Sequence, residues 1–294
     1  MSTVAISHPE KVMFPDDGIT KGELAAYYEL VTPIMLPYIE GRPVTLERFH
    51  RGIGEDGFFQ KNVGRGAPAW LERVAVPKTD GVVNYAVVRD ARGIMWLANQ
   101  NCITPHAWPS RVPDLRHPDL CVFDLDPAQE DADALRAAAL AVRDLLLELK
   151  LQSWVKTSGS KGFHIFVPLE PGTSFRDTAR FSDRVGAVLV KRHPDLLTQE
   201  FAKADRAGRI LIDTGRNGYS ATFAAAYAVR PRNGAPVSAP ATWAEVESGI
   251  IGPATFTIKM MEKRIADAGD LWSALFDAPQ SLREPMEMLS SSRL

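Results

Sequence analysis

The amino-acid sequence predicts an α+β fold in which helices flank a mixed or antiparallel sheet. Short apolar segments typical of strands recur along the chain, and segments with helical spacing lie between them. Two of the strand-like segments are joined by a short glycine-containing turn, which indicates a hairpin rather than a long crossover. This combination favours an α+β domain over a parallel α/β sheet.

The first helix is predicted to begin after Thr20, because Thr20 and Glu23 have the spacing of a capping box. Apolar residues follow at helical intervals, and Gly41 and Pro43 mark the end of the segment. Strands are then predicted at 44–49, 82–88, 94–98 and 120–126.

The second half of the chain alternates in the same way. Residues 131–149 predict a helix with acidic residues in its first turn, where the helix dipole favours them. The segments on either side of "GSKG" (159–162) predict a hairpin. Helices are further predicted at 174–191, after Thr242 and at 256–267, and strands at 209–214 and 221–229.

Length and composition limit the organisation and the environment. The chain has 294 residues, 45% apolar and 24% charged, which is ordinary for a globular protein. We predict one domain over 1–294, with an N-terminal portion at about 1–65, a core at about 66–270 and a frayed tail at 285–294. No apolar run approaches the roughly 18 residues of a membrane-spanning helix, so no membrane partner is expected.

Three aspartates stand at the ends of apolar segments. Asp124 and Asp126 in "CVFDLDP" would share one face of a strand, and Asp213 ends "RILID". Three carboxylates at strand ends suit two divalent cations and phosphoryl transfer. The alternatives are solvated acids at a strand rim and a turn aspartate.

The loop "TSGSKGFH" (157–164) has the composition of an anion cradle. Its glycines allow backbone N–H groups to face a ligand, and Ser158, Lys161 and His164 add polar groups. The spacing of a Walker A motif is absent. A plain hairpin turn is the alternative.

Basic and aromatic residues give further candidates. Positive charge exceeds negative charge in 203–232, although the net charge of the chain is −2. Any polyanion site must therefore be a local cluster of Lys and Arg, with a solvated basic face as the alternative. The basic residues of this stretch are Lys203, Arg206, Arg209, Arg216, Arg230 and Arg232.

Near the N-terminus, Phe58 and Phe59 are adjacent and precede Lys61. Neighbouring strand residues face opposite ways, so one ring is a candidate platform for stacking on a base. Lys11 and Lys21 flank a turn and are candidates for a phosphate pocket. The alternatives are a half-buried ring and solvated lysines.

A competing metal interpretation uses the two cysteines. Cys102 and His106 are four residues apart, and so are His117 and Cys121. Structural zinc sites commonly use shorter Cys–Cys spacings, and Cys121 falls on the apolar face of the aspartate strand.

Taken together and in order, these motifs resemble the polymerase domain of bacterial ATP-dependent DNA ligase D, in the archaeo-eukaryotic primase superfamily. The resemblance covers residues from about 11 to about 269. The motifs that carry it are "EKVMFP", "TKGELAAYY", "GRPVTLERF", "FFQK", "VFDLDP", "KTSGSKGFHIFVPL", "RAGRILIDTGRN" and "AYAVR".

The resemblance implies a primase-polymerase catalytic core and template-directed addition of nucleotides at double-strand breaks or short gaps in non-homologous end joining. Two alternatives stay open. One is a primase or short-gap repair polymerase of the same superfamily that works outside end joining. The other is a non-catalytic module that binds DNA ends.

The resemblance also implies roles for individual residues. Asp124, Asp126 and Asp213 would be catalytic and would hold the metals. The incoming nucleotide would be bound by Arg48, His106, Ser158, Lys161, His164 and Arg230. DNA would be bound by Lys11, Lys21, Phe58, Phe59, Lys61 and Arg206, with the two lysines on the 5′-phosphate.

The implied cofactors are two ions, Mn²⁺ or Mg²⁺, with ribonucleotides and Mn²⁺ used well by the family. The implied ligands and partners are a nucleoside triphosphate, DNA ends or gaps with a 5′-phosphate, the Ku protein and an ATP-dependent ligase. The implied location is the bacterial cytoplasm, at the nucleoid. The chain itself contains no segment resembling a ligase or nuclease domain.

Overall fold

The computed structural model describes residues 4–64 and 66–291. The chain divides into two compact units, each assembled from three separate segments. The first unit comprises Met1–Pro113, Thr222–Ala239 and Phe256–Gly269. The second comprises Asp114–Ala221, Pro240–Thr255 and Asp270–Leu294.

The first unit contains an antiparallel sheet in the order β13-β7-β3-β6-β5, with β4 paired to β3, and a small β1-β2 ribbon. Its strands are β1 Val12–Phe14, β2 Ile19–Thr20, β3 Pro43–Arg48, β4 Phe58–Gln60, β5 Glu72–Lys78, β6 Gly81–Val87, β7 Cys102–Ala107 and β13 Phe223–Ala224. Its helices are α1 Lys21–Ile39, α2 Ala91–Asn99 and α6 Ile258–Ala268.

Helix α1 begins as the sequence predicts. The Thr20 side chain accepts from the Glu23 N–H, and the Glu23 carboxylate accepts from the Thr20 N–H, which completes the capping box. Leu24, Val31 and Met35 are completely buried along one face. Burial of that face, rather than helix propensity alone, stabilises the helix.

The strand predicted at 94–98 is wrong, because these residues lie in α2. Asp90 caps this helix by accepting hydrogen bonds from the N–H groups of Arg92 and Gly93. Ile94, Leu97 and Ala98 are buried at spacings of three and four, which a five-residue window cannot distinguish from a strand.

The second unit contains a mixed sheet in the order β11-β12-β8-β10-β9-β14, in which only the β11–β12 pair is parallel among the described residues. Its strands are β8 Leu120–Pro127, β9 Trp154–Thr157, β10 Phe163–Pro168, β11 Leu197–Thr198, β12 Ile210–Asp213 and β14 Pro240–Ala241. Its helices are α3 Ala132–Glu148, α4 Phe175–Arg192, α5 Trp243–Glu247 and α7 Arg283–Ser290. The predicted α+β class with a mixed or antiparallel sheet is confirmed.

Two other predictions differ from the structure. The strand predicted at 221–229 is reduced to β13, because Tyr227 has a φ of +65°, which interrupts extended backbone. The tail predicted to fray at 285–294 is helical as far as Ser290. At the start of this helix, α7, the side chains of Leu282 and Pro285 are buried. Residues 292–294 lie outside the described residues.

The predicted single domain and its boundaries stay predictions, since a division of contacts does not measure independent folding. The predicted boundary near residue 65 falls inside the first unit. Among the helices of the described residues, none combines the length and apolar character needed to cross a bilayer.

Candidate active site

The β-ladders of the second unit align four titratable side chains in one row across the sheet. Asp124 on β8 lies opposite Asp213 on β12, and on its other side lies opposite His164 on β10. His164 in turn lies opposite Lys156 on β9. Residues directly opposite each other in a ladder point to the same face, so the row Lys156–His164–Asp124–Asp213 forms one polar strip.

Asp126 lies on the same face of β8 as Asp124, two residues further on. Arg206 Nη1 is 2.9 Å from Asp126 Oδ2 and also donates to the Asp126 carbonyl. The guanidinium donates further to the carbonyls of Glu200 and Phe201, and Arg206 is only 3% exposed. The contact with DNA predicted for Arg206 stays a prediction, and in the structure these bonds and its burial direct the side chain to Asp126.

Arg216, one of the basic residues of 203–232, lies at the site, although the motifs gave it no role there. Its Nε is 3.1 Å from Asp124 Oδ2, and its Nη2 is 3.3 Å from Asp213 Oδ2. It lies in a short 3₁₀ turn directly after β12. Its position three residues after Asp213, inside "DTGRN", is the signal that could have found it.

The two opposed carboxylates have opposite electrostatic environments. Burial alone would raise the pKa of Asp124, but His164 and Arg216 lower it well below its ordinary value. The pKa of Asp213 is raised, first by burial and then by the charges of Asp124 and Asp126, although Arg216 opposes this. The charges of Asp124 and Asp126 thus disfavour the charged form of Asp213, and an added cation would relieve this repulsion.

The loop after β9 is organised by Ser158 and differs from a simple anion cradle. Ser158 Oγ accepts from the N–H groups of Ser160 and Gly162, both at 3.0 Å, and Ser158 is 4% exposed. Those two N–H groups are thus directed at Ser158 rather than outward. Lys161 is half-buried at the tip of the loop.

Gly162 lets this loop approach β8 closely. A Cβ atom at Gly162 would stand 1.6 Å from the Leu125 carbonyl oxygen, which no side chain can do. The glycine thereby keeps the loop against the strand that bears Asp124 and Asp126.

The first unit has a second cluster, at the ends of β3 and β7. His106 Nε2 is 2.9 Å from Glu47 Oε2, and the ring of Phe59 meets the His106 imidazole edge-on with centroids 5.3 Å apart. Burial would raise the pKa of Glu47, but the His106 hydrogen bond and the charges of His106 and Arg230 lower it overall. Glu47 is a second residue that the motifs did not single out.

Arg48 belongs to the same cluster. Its guanidinium donates to the carbonyl of Gln100 and the side chain of Gln60, and lies 5.5 Å from the centroid of the Phe58 ring. Phe58 is 39% exposed and Phe59 61% exposed, so both rings reach the surface. Lys61 follows β4 and is exposed.

Lys11 and Lys21 lie near enough to influence each other. Lys21 is 3% exposed and donates to Ser7 Oγ at 3.1 Å and Asn99 Oδ1 at 3.0 Å. Its pKa is lowered by burial and then by the charges of Lys11 and Arg48. Lys11 donates to the His50 carbonyl. Neighbouring cations that repel each other favour an anion.

The structure thus groups the predicted residues within each unit. The second unit brings together the three aspartates, Ser158, His164 and Arg206. The first unit brings together Arg48, His106, Phe58 and Phe59, and places the charge of Arg230 near Glu47 and that of Lys11 near Lys21. For each unit the roles in binding stay predictions.

The metal interpretations can be tested against these contacts. Over residues 4–64 and 66–291, no three His, Cys, Asp or Glu side chains converge as a ready-made metal cage. For zinc this agrees with the buried Cys102 and Cys121 and with His117, which bonds Asp114 at 2.8 Å. Arg216 contacts the carboxylates of both Asp124 and Asp213. Their donor set of hard carboxylate oxygens fits Mg²⁺ or Mn²⁺.

Comparison with known proteins adds three sequence relatives and one family. The model of the LigD primase-polymerase domain matches residues 20–272. The multifunctional non-homologous end joining protein LigD of Mycolicibacterium smegmatis is 35% identical over 280 residues, 94% of this chain and 36% of that protein. The corresponding Pseudomonas aeruginosa protein is 32% identical over 91% of this chain and 32% of its own length. The bifunctional LigD of Bacillus subtilis is 30% identical over 95% of this chain and 45% of its own length.

A solved structure is similar over nearly the whole chain. The polymerase domain of Mycobacterium tuberculosis ligase D, in complex with DNA, superimposes with a TM-score of 0.89 at 33% identity. The match covers 95% of this chain and 100% of that domain. This chain therefore spans a whole domain of that structure, but less than half the length of the three sequence relatives.

Proposed function

The chain belongs to the family of LigD primase-polymerase domains, and from this premise we propose that it adds nucleotides to DNA at double-strand breaks or short gaps during non-homologous end joining. It is a nucleotidyltransferase of the archaeo-eukaryotic primase type. The observation that carries the proposal is the placement of Asp124, Asp126 and Asp213 on one face at the ends of β8 and β12.

Divalent cations, Mn²⁺ or Mg²⁺, would be held by Asp124, Asp126 and Asp213. When bound, they supply positive charge for a primer hydroxyl and for the triphosphate. Arg206 holds Asp126 in place from the protein side, with its own charge removed from solvent. Binding of a cation by Asp124 and Asp213 together would replace the present contacts of Arg216.

Each unit has its own candidates for contacts with the incoming nucleotide. In the second unit, His164 and Lys161 would donate to phosphate oxygens, while Ser158 would shape the loop that carries Lys161. In the first unit, Arg48, His106 and Arg230 would supply donors and charge. Glu47 supports this role for His106, because its carboxylate orients the imidazole.

DNA would be bound through the first unit. Lys11 and Lys21 are a pair of neighbouring cations suited to a 5′-phosphate, and their proximity supports this role: burial and then the charge of Lys11 lower the pKa of Lys21. Phe58 and Phe59 would stack on template bases and Lys61 would contact the backbone. The M. tuberculosis domain was solved in complex with DNA, which supports a DNA ligand here as well.

The names of the relatives also suggest protein partners, which we include in the proposal. Proteins named for end joining act with other proteins at a break, so Ku and an ATP-dependent ligase are the partners proposed. The relatives are longer than this chain, and a ligase can be joined to it or act separately.

Primer extension with Mn²⁺ and labelled ribonucleotides tests the function. Three substrates are compared: a gap with a 5′-phosphate, a gap with a 5′-hydroxyl and an unprimed template. We expect template-directed addition that is most efficient at the phosphorylated gap. Preferred synthesis on the unprimed template would instead support a primase, and no addition on any substrate would support a binding module.

Asp124→Ala is the matched control for that experiment. It should abolish addition while binding of the phosphorylated gap survives, because the site for the 5′-phosphate lies on other residues. A Lys11→Ala, Lys21→Ala double variant should do the reverse and lose the preference for the phosphorylated gap. Normal extension by Asp124→Ala would disprove the assignment of the carboxylates.

A further inference from the structure

Lys156 is a fully buried lysine to which the proposed reaction gives no role. It lies on β9 with an exposed fraction of 0%. Its Nζ is 2.8 Å from Nδ1 of His164 and 5.7 Å from the centroid of the Phe166 ring. A lysine is almost never completely buried unless it is paired. The burial of Lys156 therefore requires polar partners, and His164, directly opposite in the ladder, is one of them.

A charged Lys156 would give this hydrogen bond one direction only. An ammonium group has three donors and no lone pair to accept with. Opposite an ammonium group, the Nδ1 atom of His164 is the acceptor and carries no proton. In a neutral imidazole the ring proton then resides on Nε2, since the partner of one ring nitrogen sets the state of the other.

The other side of the ring faces the carboxylates. Nε2 of His164 is 3.4 Å from Oδ1 of Asp124, and the ring is 4% exposed. We propose that Lys156 is a positioning residue that keeps Nδ1 of His164 as an acceptor, so that Nε2–H is the donor presented to the active site. Lys156, His164 and Asp124 lie side by side on the adjacent strands β9, β10 and β8, so the contact with Lys156 sets which ring nitrogen of His164 faces Asp124 as a donor.

This inference rests on the proposed function in one respect, namely that Nε2–H donates to the triphosphate. A ring with its proton on Nδ1 would turn a lone pair toward phosphate oxygens and repel them. Removal of the Lys156 donor should therefore weaken nucleotide binding more than the chemical step. The hydrogen-bond partners of metal-binding histidines contribute about 10- to 100-fold, and we expect an effect near the lower end of that range here.

Nitrogen-15 NMR of the histidine rings tests the tautomer directly, without any activity. In the metal-free wild-type protein at neutral pH, we expect His164 as the Nε2–H tautomer. Lys156→Met removes the donor and should give a mixture of tautomers. Lys156→Gln keeps an N–H donor and should restore the wild-type ring signal. His164→Gln assigns the resonance.

Kinetics on the phosphorylated gap give the second readout. Lys156→Met should raise the KM for the nucleotide about tenfold and change kcat less than about threefold. The reason is that the His164 contact with the triphosphate is made in both the ground state and the transition state, so its loss weakens binding and leaves the chemical step nearly unchanged. In a His164→Gln background, the same change should alter KM less than about twofold. A merely structural role of Lys156 would give equal losses in both backgrounds.

The inference is overturned if wild-type His164 is the Nδ1–H tautomer or doubly protonated, or if Lys156→Met leaves the ring signal unchanged. The wild-type spectrum decides even if Lys156→Met does not fold. Absence of nucleotide addition by the wild-type protein would refute the proposed function but not the tautomer. A third outcome is the expected tautomer together with KM effects of Lys156→Met that are the same with and without His164. That outcome would support the orientation of the ring by Lys156 but refute a role of this orientation in nucleotide binding.

Discussion

At the scale of single residues, Asp124 and Asp213 are chemically identical but differ in what their charges do to the fold. The pKa of Asp124 is lowered, so its carboxylate contributes stability above the ordinary carboxyl pKa and loses it only as the pH falls through the lowered value. The pKa of Asp213 is raised, so folding favours its protonated form, and that contribution is lost as the pH rises through the raised value.

Replacement of each carboxylate by its amide should therefore have opposite effects on stability. At neutral pH, we expect Asp124→Asn to lower the Tm by several degrees. Asp213→Asn should keep the hydrogen bond from the Gly215 N–H and raise the Tm by about 2 °C. Differential scanning calorimetry without added metal measures both.

Both amide variants should nevertheless lose nucleotide addition, since each removes a negative ligand. A lower Tm for Asp213→Asn would contradict the electrostatic account of the site. Asp133→Asn on the exposed start of α3 is a control for amide substitution and should change activity little.

At the scale of elements, the hairpin of β9 and β10 depends on the contact of its loop with β8. Gly162→Ala would place a Cβ at 1.6 Å from the Leu125 carbonyl, so loop or strand must move. We expect a loss of about 3 kcal/mol or more in the free energy of unfolding, and loss of activity with it. Urea denaturation measures the stability.

Gly64→Ala is the matched control for Gly162→Ala, because a Cβ there would have no atom within 4 Å. Its free energy of unfolding should stay within about 0.5 kcal/mol of wild type. Equal losses in both variants would show that the close approach at Gly162 is not what holds the hairpin.

For strand β4 we predict an effect on DNA affinity rather than on stability. Phe59 is 61% exposed, so Phe59→Ala removes little buried area. If it stacks on a template base, affinity for a gapped duplex should fall about tenfold, corresponding to roughly 1–3 kcal/mol per stacked base. Fluorescence anisotropy measures the affinity, and Leu147→Ala, which truncates another exposed apolar residue on α3, should leave it unchanged.

Some site residues and elements could be predicted from the sequence, and others could not. The aspartates and His164 followed from motif order and from strand alternation, which depends only on local backbone geometry. Helix α2 was missed because its apolar spacing is short and the cap at Asp90 was not recognised. Glu47 was missed because its role depends on a cross-strand neighbour, which no local pattern reveals. For Arg216 the spacing of three from Asp213 is a local signal, but its contact with Asp124 on the neighbouring strand is not.

At the scale of the whole molecule, the net charge of −2 offers no general attraction to DNA. Affinity must come from a few local cations, each of which releases counterions. Lys11→Gln should lower the slope of log K against log salt by about 1 on a phosphorylated gap. Lys263→Gln is the control, since Lys263 pairs with Asp267 on α6. A slope unchanged by Lys11→Gln would refute the phosphate contact.

The chain passes from one unit to the other five times, at residues 113, 221, 239, 255 and 269. During synthesis, β7 emerges long before β13, the strand that pairs with its free edge. Translation of residues 114–221 takes roughly 5–20 seconds at ordinary elongation rates. Throughout that interval the nascent first unit has an open strand edge, which invites pairing with other chains. The order in which the segments are synthesised therefore leaves this edge of β7 unpaired until β13 has been made.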